Sequence, residues 1–82
     1  MSDKARKMIE ALGGKTNIKS LDSCITRLRV IVNNPGLVDD KKLRALGAVG
    51  VIKKEGSVQV VLGTVADLIE SEMKKILSEM KE

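Results

Sequence analysis

The absence of Phe, Tyr and Trp from all 82 residues is the feature that most limits what this chain can fold into. Its apolar fraction of 43% consists of aliphatic and sulfur-containing side chains alone. A chain of about 80 residues already has little buried area, so it rarely divides into two self-sufficient cores. We therefore expect residues 1–82 to form one domain, with a stability near the lower end of the usual ~5 to 15 kcal/mol.

The charge balance is mildly basic. Fifteen Lys and Arg against eleven Asp and Glu give a formal net charge of +4. This excess favours acidic partners of several kinds: nucleic acid, an anionic membrane surface, a phosphorylated ligand or an acidic protein face. The lack of aromatic side chains argues against single-stranded nucleic acid, whose bases usually stack on them. A single cysteine, no visible signal peptide and no apolar run of about 20 residues make a soluble cytosolic chain the expectation.

The chain also has no histidine. This excludes, within the chain, general-base catalysis by histidine, Ser-His-Asp and Cys-His nucleophile pairs, and histidine metal sites. One cysteine cannot form a zinc site by itself. We therefore expect neither a metal ion nor another cofactor.

Hydrophobic periodicity predicts seven elements in the order helix, strand, strand, helix, strand, strand, helix. The first helix is expected to end at residue 12, and strands at 17–22, 25–32, 50–54 and 58–62 to form two hairpins, the first turning at Ser23 and Cys24. Short connections suit antiparallel pairing, so the predicted class is α+β. We expect a two-layer sandwich in which a four-stranded antiparallel sheet carries three helices on one face and leaves the other open.

Two of the predicted helices have recognisable start signals. Asp39 is the predicted N-cap of the second helix, which Gly47 is expected to stop. Thr64 and Asp67 match a capping box ahead of the third helix. The predicted buried stripe of that helix consists of Val65, Leu68, Ile69, Met73, Ile76, Leu77 and Met80.

Two glycine patterns suggest phosphate or nucleic-acid binding. Gly13-Gly14-Lys15-Thr16 resembles part of a P-loop, but that motif needs a glycine where Ile9 stands and a strand before the loop. A helix stop followed by a turn is the better interpretation. Gly47-Ala48-Val49-Gly50 resembles the GxxG backbone clamp of small RNA-binding modules, although a helix stop and a strand entry explain it as well.

The only cysteine lies close to two arginines in the first predicted hairpin. Arg27 and Arg29 have the same strand parity, so they point to the same face about 7 Å apart. Cys24 has the opposite parity, and we expect it to join the arginines only if the backbone leaves strand geometry at the turn. The same alternation places Gln59 on the open face beside the arginines.

The residues alone leave two interpretations of Cys24 open. A lone cysteine is most often an inert buried residue. Guanidinium groups, however, stabilise a thiolate and match phosphate oxygens, so Cys24, Arg27 and Arg29 also suit a cysteine that accepts a phosphoryl group. The arginines are equally consistent with plain exposure on a strand face, and a redox role lacks a resolving cysteine. Asp22 either accepts N–H bonds in the turn or orients the site.

The segment around the cysteine is also where the chain is most similar to a known family. Leu21-Asp22-Ser23-Cys24-Ile25-Thr26-Arg27-Leu28-Arg29-Val30 closely resembles the phosphorylation-site signature of the IIB domain in the glucose family of the bacterial phosphoenolpyruvate-dependent sugar phosphotransferase system. The resemblance covers nearly the whole chain, with further matching segments that include Leu12-Gly13-Gly14-Lys15, Lys42-Leu43, Val58-Gln59 and Gly63-Thr64.

This resemblance implies a role for each residue of the segment. Cys24 would accept a phosphoryl group from a IIA phosphohistidine and pass it to a sugar of the glucose or N-acetylglucosamine type, bound by the membrane-embedded IIC domain. Arg27 and Arg29 would serve mainly the second transfer, with Asp22, Thr26 and Gln59 around the phosphocysteine.

The resemblance also implies where the chain works. It would lie in the cytoplasm at the inner face of the membrane, fused to or associated with IIC, would be monomeric when isolated, and would need no nucleic acid. A small basic nucleic-acid-binding module and a regulatory domain that senses phosphorylation are the alternatives.

Overall fold

The computed structural model of the chain describes residues 2–80. Its order of helices and strands agrees with the prediction, and three short 3-10 turns lie between them. The helices are α1 (Ser2–Ala11), α2 (Asp40–Ala45) and α3 (Ala66–Glu79). The strands are β1 (Ile18–Cys24), β2 (Arg27–Val32), β3 (Gly50–Lys54) and β4 (Ser57–Val61).

The four strands form one antiparallel sheet in the order β1-β2-β4-β3. Alternate residues of each strand point to one face, and on that face the aliphatic side chains are buried under the helices. The predicted α+β architecture, with three helices over a four-stranded sheet, is confirmed. The side chains that are fully buried include Met8, Leu12, Leu28, Val30, Leu43, Val58, Val60 and Met73.

The first hairpin turns later than predicted. β1 runs through Cys24 and the turn residues are Ile25 and Thr26, so the prediction of a turn at Ser23 and Cys24 is wrong. Ser23 pairs with the fully buried Leu28, and a register shifted by one residue would move Leu28 to the open face. The pairing of Cys24 with Arg27 leaves Ile25 and Thr26 as the turn, although the φ of +29° at Ile25 is unfavourable for a β-branched residue.

The start of α3 also differs from the prediction. Gly63–Val65 form a 3-10 turn, and no side chain caps the helix that follows, so the predicted capping box of Thr64 and Asp67 is wrong. The Asp67 carboxylate instead accepts from the N–H of its neighbour Leu68, at 2.8 Å. Val65 lies in the 3-10 turn before the helix, and both Val65 and Leu68 fall outside the core, with 42% and 45% of their surface exposed. The residues of α3 that are buried are Ala66, Ile69, Met73 and Ile76.

Both glycine patterns lie at helix ends. Gly13 and Gly14 follow α1, where the P-loop requires a preceding strand, so the helix-stop interpretation is correct. Asp39 caps α2 as predicted, since its carboxylate accepts from the Lys42 N–H at 3.1 Å. Gly47 follows that helix with a φ of +114°, a conformation that glycine adopts without strain. Among the described residues, no helix is long and apolar enough to cross a bilayer.

Asn17 ties the end of α1 to both strands of the first hairpin. It is the one buried polar residue among those described, with 3% of its surface exposed. Its amide nitrogen donates to the carbonyls of Leu12 at 2.8 Å and Asn34 at 3.0 Å, and its amide oxygen accepts from the Asn34 N–H at 2.8 Å. Its backbone carbonyl accepts from the Asn33 N–H at 2.9 Å. This satisfied amide holds the start of β1 against the end of β2.

Candidate functional site

Five of the six sequence-predicted site residues lie on the open face of the sheet, in two rows that cross three strands, and the sixth, Thr26, is in the turn. Cys24 of β1 is directly opposite Arg27 of β2. Two residue pairs further from the turn, Asp22 of β1 is opposite Arg29 of β2, which is opposite Gln59 of β4. Side chains that are directly opposite in an antiparallel pair have Cβ atoms about 4.5 to 5.5 Å apart. The hairpin therefore places Cys24 opposite Arg27, with Arg29 on the same face of the sheet.

The two-residue turn explains how Cys24 comes to share a face with the arginines. Parity along a single strand would separate them, and the sequence analysis required a backbone break at Cys24 to reunite them. In the structure Cys24 ends β1 and the arginines lie on β2, so the pairing between strands sets their relative orientation. The convergence was predicted correctly, but the backbone feature proposed to produce it was not.

These side chains line a concavity of about 550 Å³. Cys24 is exposed and forms no disulfide, so the expectation that a lone cysteine is buried does not hold here. Thr26, which the sequence analysis included, is not part of the lining. Its carbonyl accepts from the N–H groups of Leu62 and Gly63, at 2.9 and 3.0 Å, and so joins the turn to the end of β4. The residues that line the concavity are Asp22, Ser23, Cys24, Arg27, Arg29 and Gln59.

Both guanidinium groups are available to an anion. Arg27 Nη1 donates to Gln59 Oε1 at 2.8 Å, a neutral acceptor. Within residues 2–80 neither arginine forms an ion pair with a carboxylate. At the turn, the N–H groups of Ile25 and Thr26 donate to no backbone carbonyl of the described chain. Arginine forks and unpaired turn amides are the donors that bind phosphate in proteins.

A hydrogen-bonded chain of side chains joins the residue before the cysteine to α3. Ser23 Oγ donates to Glu70 Oε1 at 2.7 Å, and Glu70 Oε2 pairs with Lys74 Nζ at 2.6 Å. The hydrogen bond from Lys74, followed by that from Ser23, holds the pKa of Glu70 below its usual 4.5. The hydrogen bond to Glu70 raises the pKa of Lys74, and the charge of Asp22 raises it further.

Sequence reasoning did not place Ser23 or Glu70 in the site. Forty-seven positions separate the two residues. The only local signal was the favourable i, i+4 spacing of Glu70 and Lys74 on a helix.

Comparison with protein families gives a direct match. Residues 6–39 match the family model described as "phosphotransferase system, EIIB", a segment that contains β1, the turn and β2. The chain is 47% identical to the PTS system N-acetylglucosamine-specific EIIB component of Streptomyces coelicolor over 77 residues. The match covers 94% of this chain and the whole length of that protein.

Longer relatives and a solved structure agree. Over 71 residues the chain is 48% identical to the PTS system glucoside-specific EIICBA component of Staphylococcus carnosus, and 46% identical to the glucose-specific EIICBA component of the same organism. It spans only 10% of each of these two proteins. One domain of the PTS system IIabc component from Clostridium difficile superposes with a TM-score of 0.74 at 32% identity, covering 95% of this chain and 79% of that one.

Proposed function

Because the chain belongs to the EIIB family of the phosphotransferase system, in its glucose group, we propose that residues 1–82 form one IIB domain that carries a phosphoryl group on Cys24. The donor would be a phosphohistidine on a IIA domain. The acceptor would be a sugar of the glucose or N-acetylglucosamine type, the two types named in similar proteins. The observation that carries the proposal is the direct pairing of the exposed Cys24 with Arg27 in a concavity that Arg29 also lines.

In the first transfer, the Cys24 thiolate attacks the phosphorus atom of the donor. A phosphorus–sulfur bond forms as the phosphorus–nitrogen bond breaks, and the electron pair of that bond stays on the histidine nitrogen. The thiol proton leaves before or during attack, because the thiolate is the nucleophilic form, and it passes through solvent to the histidine ring that the phosphoryl group leaves. Arg27 and Arg29 neutralise charge on the equatorial oxygens, which is the main contribution a protein makes to phosphoryl transfer.

In the second transfer, a sugar hydroxyl oxygen attacks the phosphocysteine. The phosphorus–sulfur bond breaks and Cys24 leaves as a thiolate, while the hydroxyl proton passes to a base on the acceptor side, since this chain has no histidine. Arg27 and Arg29 act mainly in this step. Asp22, Gln59 and the Thr26 turn surround the phosphorylated side chain and hold the arginines or the partner in place.

Both partners would come from the same transport system. The names of the Staphylococcus carnosus relatives combine C, B and A components in one chain, which supports IIA and IIC as the donor and acceptor partners. The domain would then work in the cytoplasm at the inner membrane face, fused to or associated with IIC.

The decisive experiment uses the chain with phosphoenolpyruvate and the upstream phosphocarriers, including IIA. We expect one acid-stable, thiol-linked phosphate per chain, located on Cys24 by mass spectrometry and absent from Cys24→Ser. Unlabelled wild type, or equal labelling of Cys24→Ser, would overturn the proposal. Salt-dependent RNA binding that survives Cys24→Ser would instead support the nucleic-acid module, and labelling without delivery to any sugar would support a regulatory domain.

A further inference from the structure

The backbone that carries Cys24 is held on only one side by the sheet. β1 is the first strand in the order β1-β2-β4-β3, so it pairs with β2 and, within residues 2–80, has no strand on its other edge. Cys24 is its last residue and leads directly into Ile25, whose φ is +29° and whose side chain is 83% exposed. A strained turn after the end of an edge strand favours local opening, because few contacts oppose it.

The hydrogen bond from Ser23 to Glu70 holds this strand end from the helix side. Ser23 points away from Cys24, toward the face that the helices cover, because its partner Leu28 is fully buried. Glu70 is fixed in turn, since its side chain is only 16% exposed and its second oxygen pairs with Lys74. Ile69 and Met73, on the same helix, are buried and anchor α3 to the core.

We propose that Ser23 and Glu70 are positioning residues that fix the backbone of Cys24 opposite Arg27, so that the thiol meets the phosphoryl donor in one geometry. The proposal rests on the proposed phosphocysteine function and adds to it a requirement for the helix α3. Lys74 supports the arrangement by orienting Glu70, while Ser23 provides the link to the strand. Loss of the link lets the end of β1 move, and small displacements of a reacting group slow a transfer step.

The test compares Ser23→Ala, Glu70→Ala and Ser23→Thr, which keeps the hydroxyl, with two controls. Ser20→Ala makes the same chemical change at an exposed position of β1, and Glu79→Ala removes an exposed carboxylate of α3. Two quantities are measured: the rate of Cys24 phosphorylation by phospho-IIA, resolved into kcat and KM, and the rate of Cys24 alkylation by an uncharged reagent. Thermal unfolding of each variant, followed by circular dichroism, sets a temperature at which all of them are folded.

We expect Ser23→Ala and Glu70→Ala to lower kcat about three- to tenfold with KM for phospho-IIA nearly unchanged, because geometry rather than docking is affected. Their alkylation rates should differ from wild type by about twofold or more, while Ser23→Thr and both controls stay close to wild type. Wild-type rates in Ser23→Ala and Glu70→Ala would overturn the proposal, as would failure of Ser23→Thr to restore kcat.

The two proposals fail in distinguishable ways. If wild type accepts no phosphate at all, the phosphocysteine function is wrong, and unchanged alkylation in Ser23→Ala would then show separately that the link does not position the thiol. If Glu70→Ala proves too unstable to measure, Ser23→Ala decides alone, since it removes one hydroxyl from a half-buried site.

Discussion

Arg27 Nη1 donates a hydrogen bond to Gln59 Oε1 across the boundary between β2 and β4, at 2.8 Å. The two residues are diagonal neighbours, because Gln59 is directly opposite Arg29 and Arg27 is directly opposite Val61. The neutral amide orients the guanidinium without neutralising it. The remaining N–H groups of the fork stay available to a phosphoryl group on Cys24.

A carboxylate at position 59 should interfere with the proposed transfer. Gln59→Glu places a carboxylate beside Arg27. Its negative charge pairs with the guanidinium and repels the phosphoryl group, so we expect phosphorylation of Cys24 to slow about tenfold. Gln59→Leu removes only the hydrogen bond that orients the Arg27 guanidinium, and it should slow phosphorylation about threefold. Lys41→Gln, on the exposed side of α2, makes the same change in net charge and serves as the control. The rates are measured as the transfer of labelled phosphate from phospho-IIA to each variant. Equal rates for Gln59→Glu and wild type would contradict the prediction.

The planar forks of the two arginines should matter for the second transfer and not for the first. Arg27→Lys and Arg29→Lys keep the charge but lose the planar fork, so we expect both variants to accept phosphate from IIA and to deliver it to sugar at least about tenfold more slowly. The two half-reactions are measured separately, by chain labelling and by sugar phosphate formed with IIC. Arg44→Lys, an exposed substitution on α2, is the matched control. Normal delivery by both variants would mean that the forks have no role in that step.

Asn17 should be the most sensitive polar position for stability. Asn17→Ala removes three side-chain hydrogen bonds and leaves the buried Leu12 carbonyl and the part-buried backbone groups of Asn34 without these partners, so we expect a loss of about 2 to 4 kcal/mol in the free energy of unfolding. The neighbouring Asn33 makes one exposed hydrogen bond, to the Thr16 carbonyl, and Asn33→Ala should cost less than about 1 kcal/mol. Urea titrations followed by circular dichroism measure both values. Similar losses for the two variants would show that burial of the Asn17 amide adds nothing to the free energy of unfolding.

The Glu70 contacts should make stability depend on pH in the acid range. The folded-state pKa of Glu70 lies below 4.5, chiefly because of the hydrogen bond from Lys74 and then that from Ser23. A lowered pKa stabilises the fold above the unfolded value, and that contribution is lost as the pH falls through the folded value. We therefore expect the stability difference between wild type and Glu70→Gln to be constant above about pH 5.5 and to shrink below pH 4.5. Denaturant titrations at several pH values measure this difference, with Glu79→Gln as the control. A stability difference that grows on acidification would contradict the prediction.

Strand parity predicted most of the site, because the open and covered faces of a sheet follow from alternation alone. It placed Arg27, Arg29 and Gln59 on one face correctly. The turn was misplaced because Ile25 has the chemistry of a strand residue, whereas Ser23 has that of a turn residue. The observed pairing of Ser23 with Leu28 and of Cys24 with Arg27 extends β1 through these two residues, against their local preferences.

The contacts made by α3 were harder to predict. Its amphipathic pattern was clear, but the helix begins only after the 3-10 turn at Gly63–Val65, and Val65 and Leu68 lie outside the core. The bond between Ser23 and Glu70 depends on how the helix lies across β1. Such long-range packing has no counterpart in a residue spacing, so it could be found only in the structure.

The aromatic-free core has a practical consequence for spectroscopy. Without Phe, Tyr or Trp the chain has almost no absorbance or fluorescence in the near ultraviolet. A single tryptophan replacing Ile52, which lies opposite Gln59 on the outer strand and is 45% exposed, would be the only fluorophore of the chain. Against an unlabelled, tryptophan-free donor, its emission would report the arrival of a partner or a phosphoryl group at the concavity in real time, with no internal background to subtract.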